Sequence, residues 1–506
     1  MNRRNFIHTG SLALAGTIVT RPFANASPKH TAATAVNAAM DHFGVSKNDI
    51  RNTLAAALEK GGYYADLFFE HTFNNYVGLQ DGAVNRCNSN IDFGMGVRVL
   101  SGDQTGYAYI EDITPQEMLK AARTAARIAD GSAKTAPAAL TEKPLKKNYY
   151  TVSTRWEEVL LKDKTPYLQR LNEKVFALDK RVQKVSASLS DSTTHILFCN
   201  SEGVSYYDYR PMSSLSALCI MQENGRTESN YASRAYRKGF EFLTDELTDV
   251  IAREAVEKTA LLFKAVKPKG GEMPVVMGAG GSGILLHEAI GHAFEADFNR
   301  KNVSIFAGQL HKKVCNEHIN VVDDGTIPFN RGSVNIDDEG TDGQKTYIVR
   351  EGILTSYLHD RISARHYGIA STGNGRRESF RYPPMPRMRA TYMEAGDRKE
   401  KDIIASVKKG IFVDNFTNGQ VQIGAGDFTF FVKSGYLIEN GELTQPIKDI
   451  NIIGNGPKAL ADITLVADNP AIDNGTWTCG KDGQSCPVTC GMPSVLVGKL
   501  TVGGNS

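Results

Sequence analysis

Residues 272–295 read Glu272-Met-Pro-Val-Val-Met277, then Gly278-Ala-Gly-Gly-Ser-Gly283, then Ile284-Leu-Leu-His-Glu-Ala-Ile-Gly-His-Ala-Phe-Glu295. The first block has the apolar character of a short buried strand, the second is a glycine turn, and the third has the spacing of an amphipathic helix. Strand, turn and helix in that order admit three chemistries. Gly278, Gly280 and Gly283 satisfy G-x-G-x-x-G, which lets a dinucleotide pyrophosphate reach a helix N-terminus. Against it, the strand is short and contains Pro274, no parallel βαβ context follows, and no acidic ribose partner ends a second strand. A nucleophile elbow fails as well, because Gly280-x-Ser282 is followed by Ile284 where the second glycine belongs. The third feature is His287-Glu288-Ala-Ile-Gly-His292, two imidazoles and a carboxylate on one predicted helix.

Its spacing departs from the common zinc-protease helix. In H-E-x-x-H the histidines are four residues apart, about 40° around the helix, and share a metal. Here they are five apart, about 140° on a regular helix, so joint metal binding requires an inserted residue. A single π-turn would realign them, and Gly291, a poor helix former, is a place for that distortion. The alternative is two unrelated histidines, one exposed and one hydrogen-bonded in the core, and spacing leaves the choice open. The third ligand is equally open. Glu295, Asp323, Asp324, Asp337 and Asp338 all qualify, although Asp-Asp-Gly and Asp-Asp-Glu-Gly also read as turns, with Glu295 then supporting a ligand.

Around this motif lie 506 residues of ordinary globular composition, 41% hydrophobic and 23% charged, which excludes collagen-like, disordered and coiled-coil classes. Arg3-Arg4-Asn5-Phe6, a mild apolar run over 11–19 and Ala24-Asn25-Ala26 read as a twin-arginine export signal over residues 1–26, pointing to a periplasmic protein. The 58 basic and 56 acidic residues give +2, and loss of Arg3, Arg4 and Arg21 with the signal turns this to −1. A near-neutral mature chain carries no global mark of nucleic-acid binding, and no membrane span is expected in it. The seven cysteines are odd in number and scattered, so they form no disulfide scaffold. Cys479, Cys486 and Cys490 cluster without a zinc-knuckle spacing, and a Cys486–Cys490 disulfide is one option in an oxidising compartment.

The remaining pattern is helix over 32–60, strands over 63–110, a helix over 115–128, a connector over 131–150, a helix from Pro166 to Leu178 and strands over 183–235. A helix over 245–263 leads to a basic linker, and 272–506 is mostly strand and turn, with a hairpin at Glu439–Glu442 and alternation through Val421–Val432. The fold class is therefore α+β, with an N-terminal helix-and-sheet domain over 27–264 and a strand-rich C-terminal domain over 265–506 that carries the metal-site helix.

The motif helix, together with Phe294–Arg300, Val321–Thr326, Ile336–Gly340, Thr372–Glu378, Tyr436–Gly441 and Cys479–Gln484, resembles the TldD/PmbA family of metalloproteases, specifically its catalytic TldD branch. The blocks keep their order over the whole C-terminal half, and retention of the histidine motif separates the chain from the metal-free PmbA branch. The resemblance implies one zinc per chain, held by His287, His292 and Cys479, and a zinc-activated water deprotonated by Glu288 as base. It implies an unfolded or extended peptide as substrate and a heterodimer with a PmbA/TldE-type subunit, or a homodimer. A non-catalytic peptide-binding or chaperone-like subunit is the alternative. For binding substrate, the turn at Gly280 and the pair Arg376 and Arg377 are candidates. That pair opens an arginine-rich stretch that reads better as an active-site border than as a nucleic-acid patch.

Overall fold

The computed structural model describes residues 32–131 and 135–503. The export signal expected over 1–26 lies outside the described residues. Among the described residues two short helices come first, α1 (Ala32–Phe43) and α2 (Lys47–Ala57), the second started by a capping box in which Ser46 and Asp49 satisfy each other's backbone amides. Long strands β1 (Tyr64–Gln80) and β2 (Ala83–Ser101), then β3 (Gln104–Ile110), form a meander that runs into α3 (Pro115–Ala126). After β4 (Thr141–Glu142) and α4 (Leu161–Leu178) the pattern returns: a meander of β5 (Val182–Asn200), β6 (Val204–Glu223) and β7 (Arg226–Tyr236), then α5 (Asp245–Leu262).

Both meanders join one sheet, because β1 pairs antiparallel with β5 along nearly its whole length, and β4 and β7 share the outer edge of β6. Side chains alternate across the sheet, and both faces near the β1–β5 seam are covered. Leu67, Phe69, Leu197 and Cys199 face α1, α2 and α3; Phe68, Ile196 and Phe198 face Ile336 and Phe380 of the C-terminal half. The helix expected to begin at Pro166 begins five residues earlier. The Asp163 carboxylate accepts the Leu160 amide at 3.2 Å and starts α4 there, so Pro166 sits inside the helix near its N-terminus.

In the C-terminal half, β8 (Gly271–Met277) lies between Lys409–Gln422, parallel, and Val495–Gly503, antiparallel. The sheet continues through Asp427–Glu439 to Glu442–Asn455, which pairs back onto Val495–Gly503 and closes five strands into a ring. The alternation read through Val421–Val432 is two strands, broken at 423–426 where Gly426 takes a φ of +77°. The hairpin at Asn440-Gly441 forms as read, both residues having positive φ. A second six-stranded sheet includes Val321–Asp324, Ala390–Met393, Thr489–Met492 and Ala471–Asp473. Between the two sheets runs the motif helix. Leu285, Leu286, Ala289, Ile290, Ala293 and Phe294 all belong to this half's main core, so the helix is buried on nearly every side and only Glu288 is half exposed; it is not the amphipathic surface helix its spacing suggested. No helix among the described residues is long and apolar enough to cross a membrane.

Candidate metal centre

The glycine turn fixes where the helix starts. Gly278 donates its amide to the Val413 carbonyl, Gly280 to Met492 and Gly283 to Gly280, which clamps the turn between two strands. Gly280 has a φ of +85°, and a Cβ on Gly283 would lie 2.3 Å from the Gly491 nitrogen, so both positions require glycine. The Gly278, Gly280 and Gly283 amides are thus spent on backbone, which leaves the substrate-binding role expected of this turn without those three donors.

From Leu285 to Gly291 the backbone is π-helical, and His292 donates its amide to the His287 carbonyl five residues back. This i to i+5 bond is the insertion that the five-residue spacing demanded. Gly291 itself is in ordinary helical conformation. Its lack of a side chain matters for packing instead: a Cβ there would stand 2.2 Å from the Met388 sulfur.

The π-turn brings His287 and His292 together with rings 5.1 Å apart and nearly perpendicular. Cys479, from the strand Thr478–Lys481, completes the group, with one ligand atom from each residue all within 4.8 Å of one another. All three are buried. The His292 Nε2 lies 3.3 Å from the Cys479 Sγ, and its Nδ1 is 3.0 Å from Glu295 Oε2. Glu295 in turn meets Lys481 Nζ at 3.1 Å, and Lys481 reaches Asp297 at 2.8 Å. Glu295 therefore orients His292 rather than joining the ligand group.

Charges follow this chain of contacts. Burial alone would raise the Cys479 thiol, but the imidazoles of His287 and His292 outweigh it and hold the sulfur as thiolate, well below the ordinary cysteine range. Burial opposes charging His292, yet Glu295 and then Cys479 raise it well above the usual histidine value. Burial would also lift Glu295, and Lys481 with His292 brings it down to about 2. A metal ion would displace the His292 proton and meet a thiolate and two imidazoles around one point, an N2S donor set suited to zinc. The fit is supported by His287, whose buried Nδ1 has no hydrogen-bond partner among the described residues.

Glu288 follows the first histidine, half-buried, with its Cγ 3.2 Å from where a Cβ on Gly419 would stand. The other acidic candidates are elsewhere. Asp323 binds Arg389, Asn374 and Thr391; Asp324 accepts from the Thr326 amide and hydroxyl; Asp337 accepts three backbone amides; Asp338 pairs with Arg210. Asp323 and Asp324 end a buried strand instead of forming a turn. Cys486 lies directly across the hairpin from Cys479, whereas Cys490 is on another sheet, opposite Asp473, and all seven cysteines are free thiols.

Two cavities meet at Thr478, the residue before Cys479. One, of 470 Å³, is lined by Gly280, Gly281, Asp414 and Asp473; the other, of 450 Å³, contains Arg376 and Arg377. Both arginines are buried, Arg376 donating to the Met388 and Pro487 carbonyls and Arg377 to the Asp338 carbonyl. Sequence reasoning missed Lys481, whereas Arg387, part of the arginine-rich stretch read as an active-site border, donates to the Cys479 carbonyl. The only signal for Lys481 was strand alternation, which places it on the same face as Cys479.

Three domain models of the PmbA/TldA metallopeptidases match the chain, domain 1 over 65–129, the central domain over 154–263 and the C-terminal domain over 270–504. A metalloprotease TldD homolog of Haemophilus influenzae is 40% identical, the match covering 88% of this chain and 93% of that protein. A zinc metalloprotease TldD homolog of Saccharolobus solfataricus is 28% identical, over 88% and 98%. The crystal structure of TldE from Thermococcus kodakarensis superposes with a TM-score of 0.69 at 19% identity, over 90% of this chain and all of that one, a likeness of fold.

Proposed function

The chain belongs to the PmbA/TldD metallopeptidase family, and from that premise we propose that it is a zinc-dependent peptidase acting on unfolded or extended peptides. The observation that carries the reading is the buried convergence of His287, His292 and Cys479 across a π-turn. These three residues would hold one zinc. When bound, it supplies Lewis acidity that polarises a peptide carbonyl and lowers the pKa of water to roughly 7. Glu288, one position from a ligand and half-buried, takes the proton from water and passes it to the leaving amine. Glu295 fixes the His292 ring so that Nε2 faces the sulfur, and Lys481 keeps Glu295 ionised. The two cavities that meet at Thr478, of 470 and 450 Å³, support an extended peptide as the substrate.

A TldE-type partner subunit and export by the twin-arginine route to the periplasm complete the proposal. Its support is the Arg3-Arg4 segment and the fold shared with TldE. Fractionation of cells expressing the full chain, with and without Arg3→Lys and Arg4→Lys, tests the export arm; cytoplasmic retention of both forms rejects it. The central test is zinc per chain by elemental mass spectrometry, comparing the parent with Cys479→Ser, alongside chelator-sensitive cleavage of unstructured peptides. About one zinc in the parent, little in the variant, and cleavage lost on chelation are expected. Peptide binding without cleavage, with the partner present, would instead identify a chaperone-like subunit.

A further inference from the structure

The 450 Å³ cavity lies between the face of the N-terminal sheet turned away from its helices and the C-terminal half, and six arginines line it: Arg210, Arg237, Arg331, Arg376, Arg377 and Arg381. Three have carboxylates. Arg210 pairs with Asp208 and Asp338 at 2.7 and 2.6 Å, Arg381 with Asp92 and Glu111, and Arg377 lies 3.6 Å from Asp66. Arg237, Arg331 and Arg376 make no ion pair among the described residues. Arg376 spends two nitrogens on the Met388 and Pro487 carbonyls, and Arg331 donates to the Trp477 carbonyl and the Thr478 hydroxyl. Arg237 stacks over the Tyr150 ring at 5.1 Å, is 4% exposed, and buries an Nε with no hydrogen-bond partner.

The cavity's own acids do not compensate. Asp338 and Asp92 are taken by Arg210 and Arg381. Glu378 accepts the Ser485 amide, and Glu70 is engaged by Thr72 and the Phe380 amide, with burial pushing its carboxyl up to about 7. Burial, reinforced by neighbouring guanidiniums, pulls both Arg237 and Arg331 down to about 10. Uncompensated buried cations are costly and mark a place where an anion is received. The planar fork of Arg237 is matched to a carboxylate, while Arg331 and Arg376, each with two nitrogens already spent on the protein, add positive charge beside it.

We propose that Arg237, Arg331 and Arg376 form a pocket for a carboxylate of the peptide substrate, either its C-terminus or an acidic side chain near the cleaved bond. The inference rests on the peptidase reading and gives it a substrate class. Position supports it: Arg331 grips the two residues before Cys479, and Thr478 borders both this pocket and the cleft that opens onto the Gly280 turn. A peptide anchored here lies along the hairpin that carries Cys479, on the face opposite the metal ligand.

Binding without turnover separates this inference from the peptidase reading. Full-length, zinc-loaded Glu288→Gln protein is titrated with fluorescein-labelled peptides by anisotropy, in two matched pairs. One pair differs only in a free or amidated C-terminus, the other only in an internal Glu or Gln. About a tenfold or greater preference for the charged member of one pair is expected, and which pair shows it identifies the source of the carboxylate. Arg237→Gln and the half-buried Arg331→Gln should each abolish that preference, with thermal melts and zinc content confirming that the fold and the metal centre are intact. Equal binding within both pairs, no binding of any peptide, or a preference that survives both substitutions overturns the pocket. Failure of the parent to cleave any peptide would overturn only the peptidase reading.

Discussion

One added methyl group at Gly291 should damage the metal helix. The new Cβ would meet the Met388 sulfur at 2.2 Å and the Leu286 carbonyl at 2.9 Å, so Gly291→Ala must push the helix or Met388 aside. A cost of about 1–3 kcal/mol and reduced zinc content are expected, read by thermal melting and elemental analysis. Met388→Ala should recover part of the loss, because it removes the nearer clash; independent, additive costs in the double variant would refute this packing account. Glu288→Gln should behave oppositely. The change is isosteric at a half-buried position, so zinc content and melting should hold while kcat falls by about 10²- to 10⁴-fold; an active variant would remove Glu288 as the proton carrier. At this scale the sequence was readable where geometry was local. A spacing of five from one histidine to the next on a helix forces either a π-turn or no shared site, and the structure has the π-turn. Nothing local joined Cys479 to His292, 187 residues earlier, or Lys481 to Glu295. Those pairings depend on how two sheets pack, and only family resemblance supplied the cysteine.

The hairpin of Thr478–Lys481 and Gln484–Pro487 is the element on which the centre is most exposed to chemistry. Asp482 and Gly483 turn it with positive φ, and the register sets Cys479 directly across from Cys486, both buried on one face. Directly opposed residues in an antiparallel pair have Cα atoms about 4.5–5.5 Å apart, within reach of a disulfide. In metal-free protein, mild oxidation should therefore couple Cys479 to Cys486, visible by non-reducing peptide mapping, and zinc should no longer load until the bond is reduced. Cys486→Ser should load zinc under the same oxidation; equal loss in parent and variant would show that another thiol is responsible. The sequence marked these cysteines as a cluster and left open both a Cys486–Cys490 bond and a disulfide to Cys479, because separation along the chain carries no information about strand register. The same limit explains the motif helix. Its period was correct, but burial on nearly every side comes from the two sheets around it, which no window of twelve residues contains.

Across the whole molecule the N- and C-terminal halves are joined by buried charge as much as by apolar contact. Arg98 on β2 binds Asp66 on β1 and reaches across to Glu339, while Arg210 on β6 reaches Asp338. Replacing Arg98 by Ala leaves buried Glu339 without its cation and Asp66 with only the more distant Arg377, and should cost about 3–5 kcal/mol, seen as a lower melting temperature. Glu70 on β1 adds a pH term to the same seam. Its carboxylate accepts the Phe380 amide from the other half, yet burial dominates and raises it from an ordinary glutamate value to about 7. A carboxyl raised on folding favours the folded state while protonated. Its contribution is complete below the unfolded value near 4.5 and is lost as pH rises through about 7. Asp337, also raised to about 7 by burial and then by Glu339, shifts stability in the same direction. Glu70→Gln keeps an acceptor for the Phe380 amide, and the Thr72 hydroxyl, which also reaches Thr194, can turn to accept from the new amide. The variant should therefore gain on the parent by up to roughly 3 kcal/mol between pH 4.5 and pH 8 in denaturant titrations, most of it accumulating below pH 7. A difference between the two proteins that stays constant over that range would show that Glu70 remains ionised in the folded seam.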